Sequence, residues 1–305
     1  MPVTSSRARG LLALALLAAA PVGAQPVVAP EQELGFDRPE SWAMKYYGSV
    51  LLFTGFGAAE ETAPGSVELA LDGGWVPSLS AEQRTVGFAG TKEEDLNRAP
   101  VYGRPRVTFG LPADWSLTVS YLPEVEISEV EAELAALAVE RPLWRGRRWR
   151  VAGRVAAQWG MLAGDITCPA DVVAAGADPR RNPLECEAPS ADEMTLRSGS
   201  VELATALAPV PGGRVEPYVT LAGHRFDTDF QVDARYSGIL DRTLLLTEGT
   251  TWSLAGGVGY AVSRSWRLAA EAFYSPLDVE RRAGRGPETD ALFTVRGLLA
   301  YRLRP

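Results

Sequence analysis

Histidine and cysteine are scarce in this chain of 305 residues: His224 stands alone, and Cys168 and Cys186 are the only thiols. With no CxxC spacing and no histidine near either cysteine, a zinc-type site has nothing to build on. No motif in the sequence implies a cofactor. Past residue 24 there is also no apolar run of the roughly 20 residues that a membrane helix needs; the best is "GSVLLFTGFGAA" from Gly48. A basic surplus is missing too. The chain carries 30 basic and 38 acidic residues, a balance that argues against nucleic acid as a partner.

What is present begins with Arg7 and Arg9, then "GLLALALLAAA", then a small-residue site ending at Ala24. These three features describe a secretory signal peptide over residues 1–24. Its removal leaves 28 basic against 38 acidic residues, a net charge of −10, in a mature chain of about 280 residues. In an oxidising compartment the two cysteines read as one disulfide, Cys168 to Cys186. In the chain-entropy model, closing that loop stabilises the fold by about 3 kcal/mol.

From Ser66 onward the hydrophobic period is two. Val67, Leu69, Leu71 and Trp75 alternate with Glu68, Ala70 and Asp72; "WSLTVSY" and "ALFTVRGLLAYRL" repeat the pattern. One stretch, "SWRLAAEAFYSP" at 265–276, also fits a helix, with Arg267 and Glu271 at i,i+4. As a strand it places Trp266 and Tyr274 eight residues apart on one face, about 27 Å at strand rise before tilt. Ten such segments can be counted, the one at 130–140 being the most helix-like. Short spacers ("PADW", "RPLWRGRR", "APVPGG", "SRS") take turns with longer ones near 78–104, 123–129, 164–194, 227–250 and 276–290.

Short and long connections in strict alternation suit an up-and-down barrel with an even strand number, short periplasmic turns and longer outer loops. The aromatics agree. Trp115, Trp149, Tyr260, Trp266 and Tyr301 fall at one end of the apolar face, and Trp75, Tyr121, Trp159, Trp252 and Tyr274 at the other. Two such rings are what amphipathic aromatics form at the two interfaces of a membrane. On these features the chain resembles the outer-membrane β-barrel proteins of Gram-negative bacteria as a class. The resemblance implies residence in that membrane after signal-peptide cleavage, contact with its lipids including lipopolysaccharide, and insertion by the outer-membrane assembly machinery. The expected fold is all-β: an antiparallel barrel over residues 65–305, of ten strands, with twelve as the competing topology.

The face opposite the aromatics carries Glu68, Asp72, Arg106, Arg150, Arg154, Gln158, Glu202, Glu216, Arg267, Glu271, Arg296 and Arg302. Each is costly against lipid, so a lumen is where they belong. Ten strands leave little room beyond side chains, and a salt-bridged plug is favoured over an open channel. Residues 25–64 break the alternation. Pro39, Glu40, Trp42, Ala43, Tyr46, Val50 and Leu51 instead read as a helix, placed at the periplasmic mouth, in the lumen or on the membrane surface.

Three functions follow: a structural or surface-binding barrel, a gated passage for small solutes, and a rim hydrolase. The last rests on His224, with Asp227 and Asp229 just beyond it and Asp165 and Asp192 available elsewhere, because a likeness to the omptin proteases implies a His–carboxylate pair that activates water. Barrel lipid A deacylases fit less well, since their nucleophilic Ser two residues after the His is Phe226 here. The sequence names no ligand.

Overall fold

The computed structural model describes residues 26–58, 63–127, 130–209, 213–282 and 284–303. Residues 1–24, expected to be a signal peptide, lie outside them. Ten long strands form one closed antiparallel sheet: β1 Val67–Trp75, β2 Val101–Gly110, β3 Ser116–Ile127, β4 Val130–Arg145, β5 Trp149–Gly164, β6 Asp192–Leu207, β7 Val215–Gln231, β8 Leu244–Ala261, β9 Trp266–Ser275 and β10 Leu292–Leu303. Each pairs with its sequence neighbours, and β10 closes the ring on β1 through Arg296↔Gly74 to Leu303↔Val67. The topology is the ten-stranded one, not the twelve-stranded alternative.

The period of two explains which way each side chain points. Leu71, Val155, Val201, Leu221, Trp252 and Val295 stand exposed on the outer wall, while Asp72, Arg154, Glu202, Ser253 and Arg296 are buried inside it. Trp115, Trp149, Tyr260 and Trp266 mark one rim of the outer face and Trp75, Tyr121, Trp159 and Trp252 the other, all between 40% and 53% exposed. An apolar exterior between two aromatic rims is the exterior of an outer-membrane-type barrel, in which lipid covers what an ordinary surface would leave wet. Trp266 and Tyr301 pack with ring centroids 4.7 Å apart at one rim, Trp252 and Tyr274 at 5.8 Å at the other.

Several strands run past the outer rim. β7 extends to Gln231 and β8 begins at Leu244, so the connection expected around 227–250 shrinks to residues 232–243. Beyond the lipid the outward face no longer has to be apolar. Exposed cross-strand pairs take it over: Arg197 with Asp227 and Asp229 at 3.6 and 3.4 Å, and Arg225 with Glu248 at 2.8 Å.

The β2–β3, β4–β5, β6–β7 and β8–β9 turns lie together at one end, hereafter the turn end; the other connections lie at the loop end and are long except one, because residues 123–127, expected in a longer connection at 123–129, belong to β3, which pairs with β4 as far as Ile127↔Val130. Above the loop end a small sheet forms from Val27–Val28, Ile239–Asp241, Ala234–Tyr236 and Cys186–Ala188. The Cys168–Cys186 disulfide ties the 165–191 loop into it.

The one long helix among the described residues, α1 Pro39–Val50, has Pro39 in its first turn and Glu40 beside it, both suited to a helix start. It is buried nearly all round, polar Lys45 included, so its apolar side chains must meet apolar neighbours and its lysine a hydrogen-bond partner. It sits inside the barrel at the loop end, away from the mouth that carries the short turns. The physical reason is complementarity: Trp42, Met44, Tyr46 and Val50 pack against Leu196, Phe226, Phe273 and Leu292, and the apolar stretch of the lumen wall lies at that end.

Candidate functional site

The lumen has two storeys. In the upper one α1 is fastened to the long loops: Trp42 Nε1 donates to the Asp290 carbonyl at 3.1 Å, Lys45 to that of Asp278 at 2.6 Å, Tyr46 to that of Pro77 at 2.5 Å and Tyr47 to that of Leu96. Glu40 accepts from the Ala89 amide at 2.6 Å.

Below Val50 the chain leaves the helix and runs down the lumen as irregular backbone to Ala58. Irregular backbone away from water leaves carbonyls that must find donors. Arginines on the wall supply them. Arg104 donates to the carbonyls of Leu51 and Leu52 at 2.9 and 2.8 Å, Arg106 to that of Thr54 at 3.1 Å, and Arg267 to that of Phe56 at 3.1 Å. In the other direction the Gly55 amide donates to Glu202 at 2.9 Å, and Arg296 reaches the Thr54 hydroxyl at 2.8 Å. The Phe53 ring lies 4.7 to 4.8 Å from the guanidinium carbons of Arg104, Arg106 and Arg154, a cation–π cluster. Alanines at lumen positions make the room: Ala136, Ala138 and Ala156 around Phe53, and Ala152, Ala204, Ala269 and Ala300 around Phe56.

Each of these arginines is also neutralised by the wall. Asp72 holds Arg104 at 3.2 Å and Arg106 more closely, and Glu271 holds Arg296. Arg154 lies 3.5 Å from Glu202 and 3.9 Å from Glu140. Nearer the turn end, Arg150 pairs with Glu216, and Glu68 lies 3.7 Å from Arg267 and 3.4 Å from Arg302. The expected lumen charges thus fall into paired groups: Asp72 with Arg104 and Arg106, Glu271 with Arg296, Arg154 with Glu140 and Glu202, Glu68 with Arg267 and Arg302, and Arg150 with Glu216. Gln158 joins the first of these through Arg104, at 3.2 Å. Sequence inspection missed Arg104 and Glu140. Arg104 sits between Gly103 and Pro105 and reads as loop, although it follows the spacing of two from Arg106.

The histidine is placed differently from a catalytic one. His224 is buried in the lumen wall, Nδ1 2.7 Å from the Ser200 hydroxyl and Nε2 2.7 Å from that of Ser253. Asp227 and Asp229 point out of the barrel, where they meet Arg197. The alternation that turns residue 224 inward turns 227 and 229 outward, so these three do not converge. Asp165 is taken by Arg98 and the Ala170 amide, and Asp192 by the amides of Thr167 and Asp233 and by Ser190. No carboxylate bonds His224 among the described residues.

Cavities lie at both ends of the plugged lumen. A polar one of about 90 Å³ lies beside Gly55–Ala58 at the turn end, lined by Glu68, Arg106 and Arg154 among others. A much larger one, about 460 Å³, lies at the loop end between α1 and the wall, and apolar side chains dominate its lining. No group of three or more metal-ligating side chains occurs among the described residues.

Above the cavity, the 76–100 loop folds over α1. Glu94 is buried there, and burial pushes its carboxyl up to about 7 while Lys92, 2.5 Å away, pulls the other way.

No protein-family model matches the chain. No curated protein matches it either. Among solved structures, the outer membrane protease OmpT from Escherichia coli aligns over 78% of this chain and 94% of that one, at 10% identity and a TM-score of 0.41. Ail, the attachment invasion locus protein of Yersinia pestis, aligns over 79% of this chain and 100% of its own at 11% identity and 0.30. The Pseudomonas putida toluene transporter TodX aligns over 88% and 71% at 12% identity and 0.30. Scores this low carry nothing about function, which is read from the geometry instead.

Proposed function

We propose that this chain is a non-conducting barrel of the Gram-negative outer membrane that works as a binding protein at the cell surface. On this reading residues 1–24 are removed on export, residues 25–64 form an N-terminal segment whose stretch from Pro39 to Ala58 plugs the lumen, and residues 65–305 form the barrel. Its surroundings are outer-membrane lipids, including lipopolysaccharide, and the assembly machinery inserts it. The loop end then faces outward, because in such barrels the short turns are periplasmic.

One observation carries the closed state: the backbone of residues 51–56 is bonded to three wall arginines and the Thr54 hydroxyl to a fourth, and all four are themselves paired with wall carboxylates. A plug held this way cannot slide out without breaking these bonds and leaving buried arginine N–H groups and plug carbonyls short of partners. The disulfide-tied sheet and the helix fastened beneath it give the outer end a fixed shape, which supports contact with a ligand more than free passage of solutes.

Planar-bilayer recording of the full chain tests the reading. A silent bilayer is the expected outcome; stable single-channel steps would sink it and favour the gated passage. The hydrolase alternative loses its support because both nitrogens of His224 face serine hydroxyls.

A further inference from the structure

Nine of the ten seams around the barrel are long, and one is not. The β2–β3 ladder runs from Arg106↔Ser120 to Gly110↔Ser116, five residue pairs, whereas the next shortest seams, β8–β9 and β10–β1, have eight. Above Arg106 the outer half of β2 continues to pair with β1, up to Val101↔Trp75. Above Ser120 the outer half of β3 continues to pair with β4, through Leu122↔Leu134 to Glu126↔Glu131. The two halves do not pair with each other.

Proline accounts for the split. Pro105, next to the last pair on β2, and Pro123, three residues beyond it on β3, have no N–H to donate, so neither can add a donor that would carry the ladder further. The β3–β4 register also shifts between Leu122 and Val125, around Pro123, and a shift of that kind bends a strand away from its former neighbour. The last stitch is a side chain, Ser120 Oγ donating to the Pro105 carbonyl at 2.7 Å.

The split begins beside Tyr121, which stands in the outer aromatic ring at 51% exposure. Its open edges therefore lie at the membrane–water boundary, where unpaired backbone groups can still be hydrated. Behind it lies the 460 Å³ cavity, within the usual size of small-molecule sites. The cavity is lined from both banks, by Tyr102 and Leu122, and further in by Leu134, Leu162, Met194 and Met44 of α1.

The charges select what fits. Each arginine of the lining is already engaged: Arg38 lies 3.7 Å from Glu40, Arg98 pairs with Asp95 at 3.0 Å and with Asp165, and Arg104 is held by Asp72 and the plug carbonyls. The flanking outer edge of β3 and β4 exposes Glu124, Glu126 and Glu131, which repel anions. We propose that the cavity is a binding site for an uncharged, hydrocarbon-like small molecule, which reaches it sideways from the outer leaflet through the open β2–β3 seam.

The full chain in lipid nanodiscs, with a diazirine-bearing dodecane dissolved in the bilayer, provides the test. After photolysis, labels are expected on peptides containing Leu134, Leu162 and Met194. Ala132→Trp, which fills the cavity from β4, lowers that labelling about tenfold, the factor that 1.4 kcal/mol of lost affinity gives. Pro105→Thr/Pro123→Thr restores both donors, and labelling from the bilayer slows. The anionic probe, a diazirine-bearing dodecanoate, labels these peptides less. Heat-resistant electrophoretic mobility confirms that each variant is folded. Labels confined to the lipid-facing wall, or unchanged in Ala132→Trp, would overturn the site. An unchanged labelling rate in the proline pair would overturn the sideways route, and equal labelling by the anion would overturn the selectivity. None of these readouts depends on conductance, so this inference and the closed-lumen reading fail separately.

Discussion

The two storeys of the lumen solve one problem, filling a narrow barrel, by opposite means. Near the turn end an irregular segment is held by charged hydrogen bonds and guanidinium–ring contacts. At the loop end a regular helix, its own backbone satisfied, is held by Leu196, Phe226, Phe273 and Leu292. A helix needs no donors from the wall, so its surroundings can be apolar; a threaded coil needs many, so its surroundings cannot be. The difference also separates specificity from stability. Buried ion pairs return little net energy against apolar replacements of like volume, but they are severe about register. The apolar storey supplies the stabilising burial and leaves a cavity between α1 and the wall.

The sharpest way to break this contrast is Arg296→Ala. Arg296 and Glu271 have side chains 2% and 0% exposed, and removing one partner should cost about 3–5 kcal/mol in chemical unfolding. Arg296→Met combined with Glu271→Leu should recover most of the loss. A double variant no better than the single one would mean that the network itself stabilises. In the upper storey Leu196→Ala, at a fully buried site, should cost about 2–5 kcal/mol, and no charge reversal elsewhere should rescue it.

The disulfide acts on the loop end alone. Cys168→Ala/Cys186→Ala should lower stability by up to about 3 kcal/mol. Proteolysis should then open the 165–191 loop while the barrel keeps its heat-resistant mobility. Equal sensitivity of strands and loop would count against a division between the storeys.

The smallest effect concerns pH. Glu94 has its carboxyl raised from 4.5 to about 7 by burial, so the folded loop favours the protonated form. Its contribution is fully present below about pH 4.5 and is lost as pH rises through about 7. Thermal melts should therefore show the loop end loosening between those values, and Glu94→Gln should flatten the trend. A variant as pH-sensitive as the parent would assign the effect to another group.

Much of the wall was legible because lipid on one side and a lumen on the other leave a strand no freedom in the sign of its alternation. Arg267 and Glu271, compatible with a helix pair when read locally, become lumen contacts to Phe56 and Arg296 once Trp266 and Tyr274 are recognised as rim residues. The upper strands were harder, since Asp227 and Asp229 sit above the lipid, where outward charge costs nothing and a strand resembles a loop. Arg104 was hidden by Gly103 and Pro105, and the same proline that disguised a strand also opened the seam. The plug's side of the arginine contacts was invisible for another reason. It consists mostly of backbone carbonyls of residues 51–56, and a carbonyl leaves no mark in a sequence.

The path of the plug constrains how the molecule comes into being. Val27–Val28 pair above the loop end and Glu31–Glu33 along the loop-end edge of β8, α1 follows just inside, and the chain then passes down the lumen to enter β1 at the turn end. The earliest part of the described chain therefore lies on the far side of the barrel from the point where the first strand begins. A finished ring, packed with arginine and phenylalanine, offers no clearance for pulling that part through afterwards. Closure of β10 onto β1 must therefore be a late event, a clasp fastened around a thread already in place.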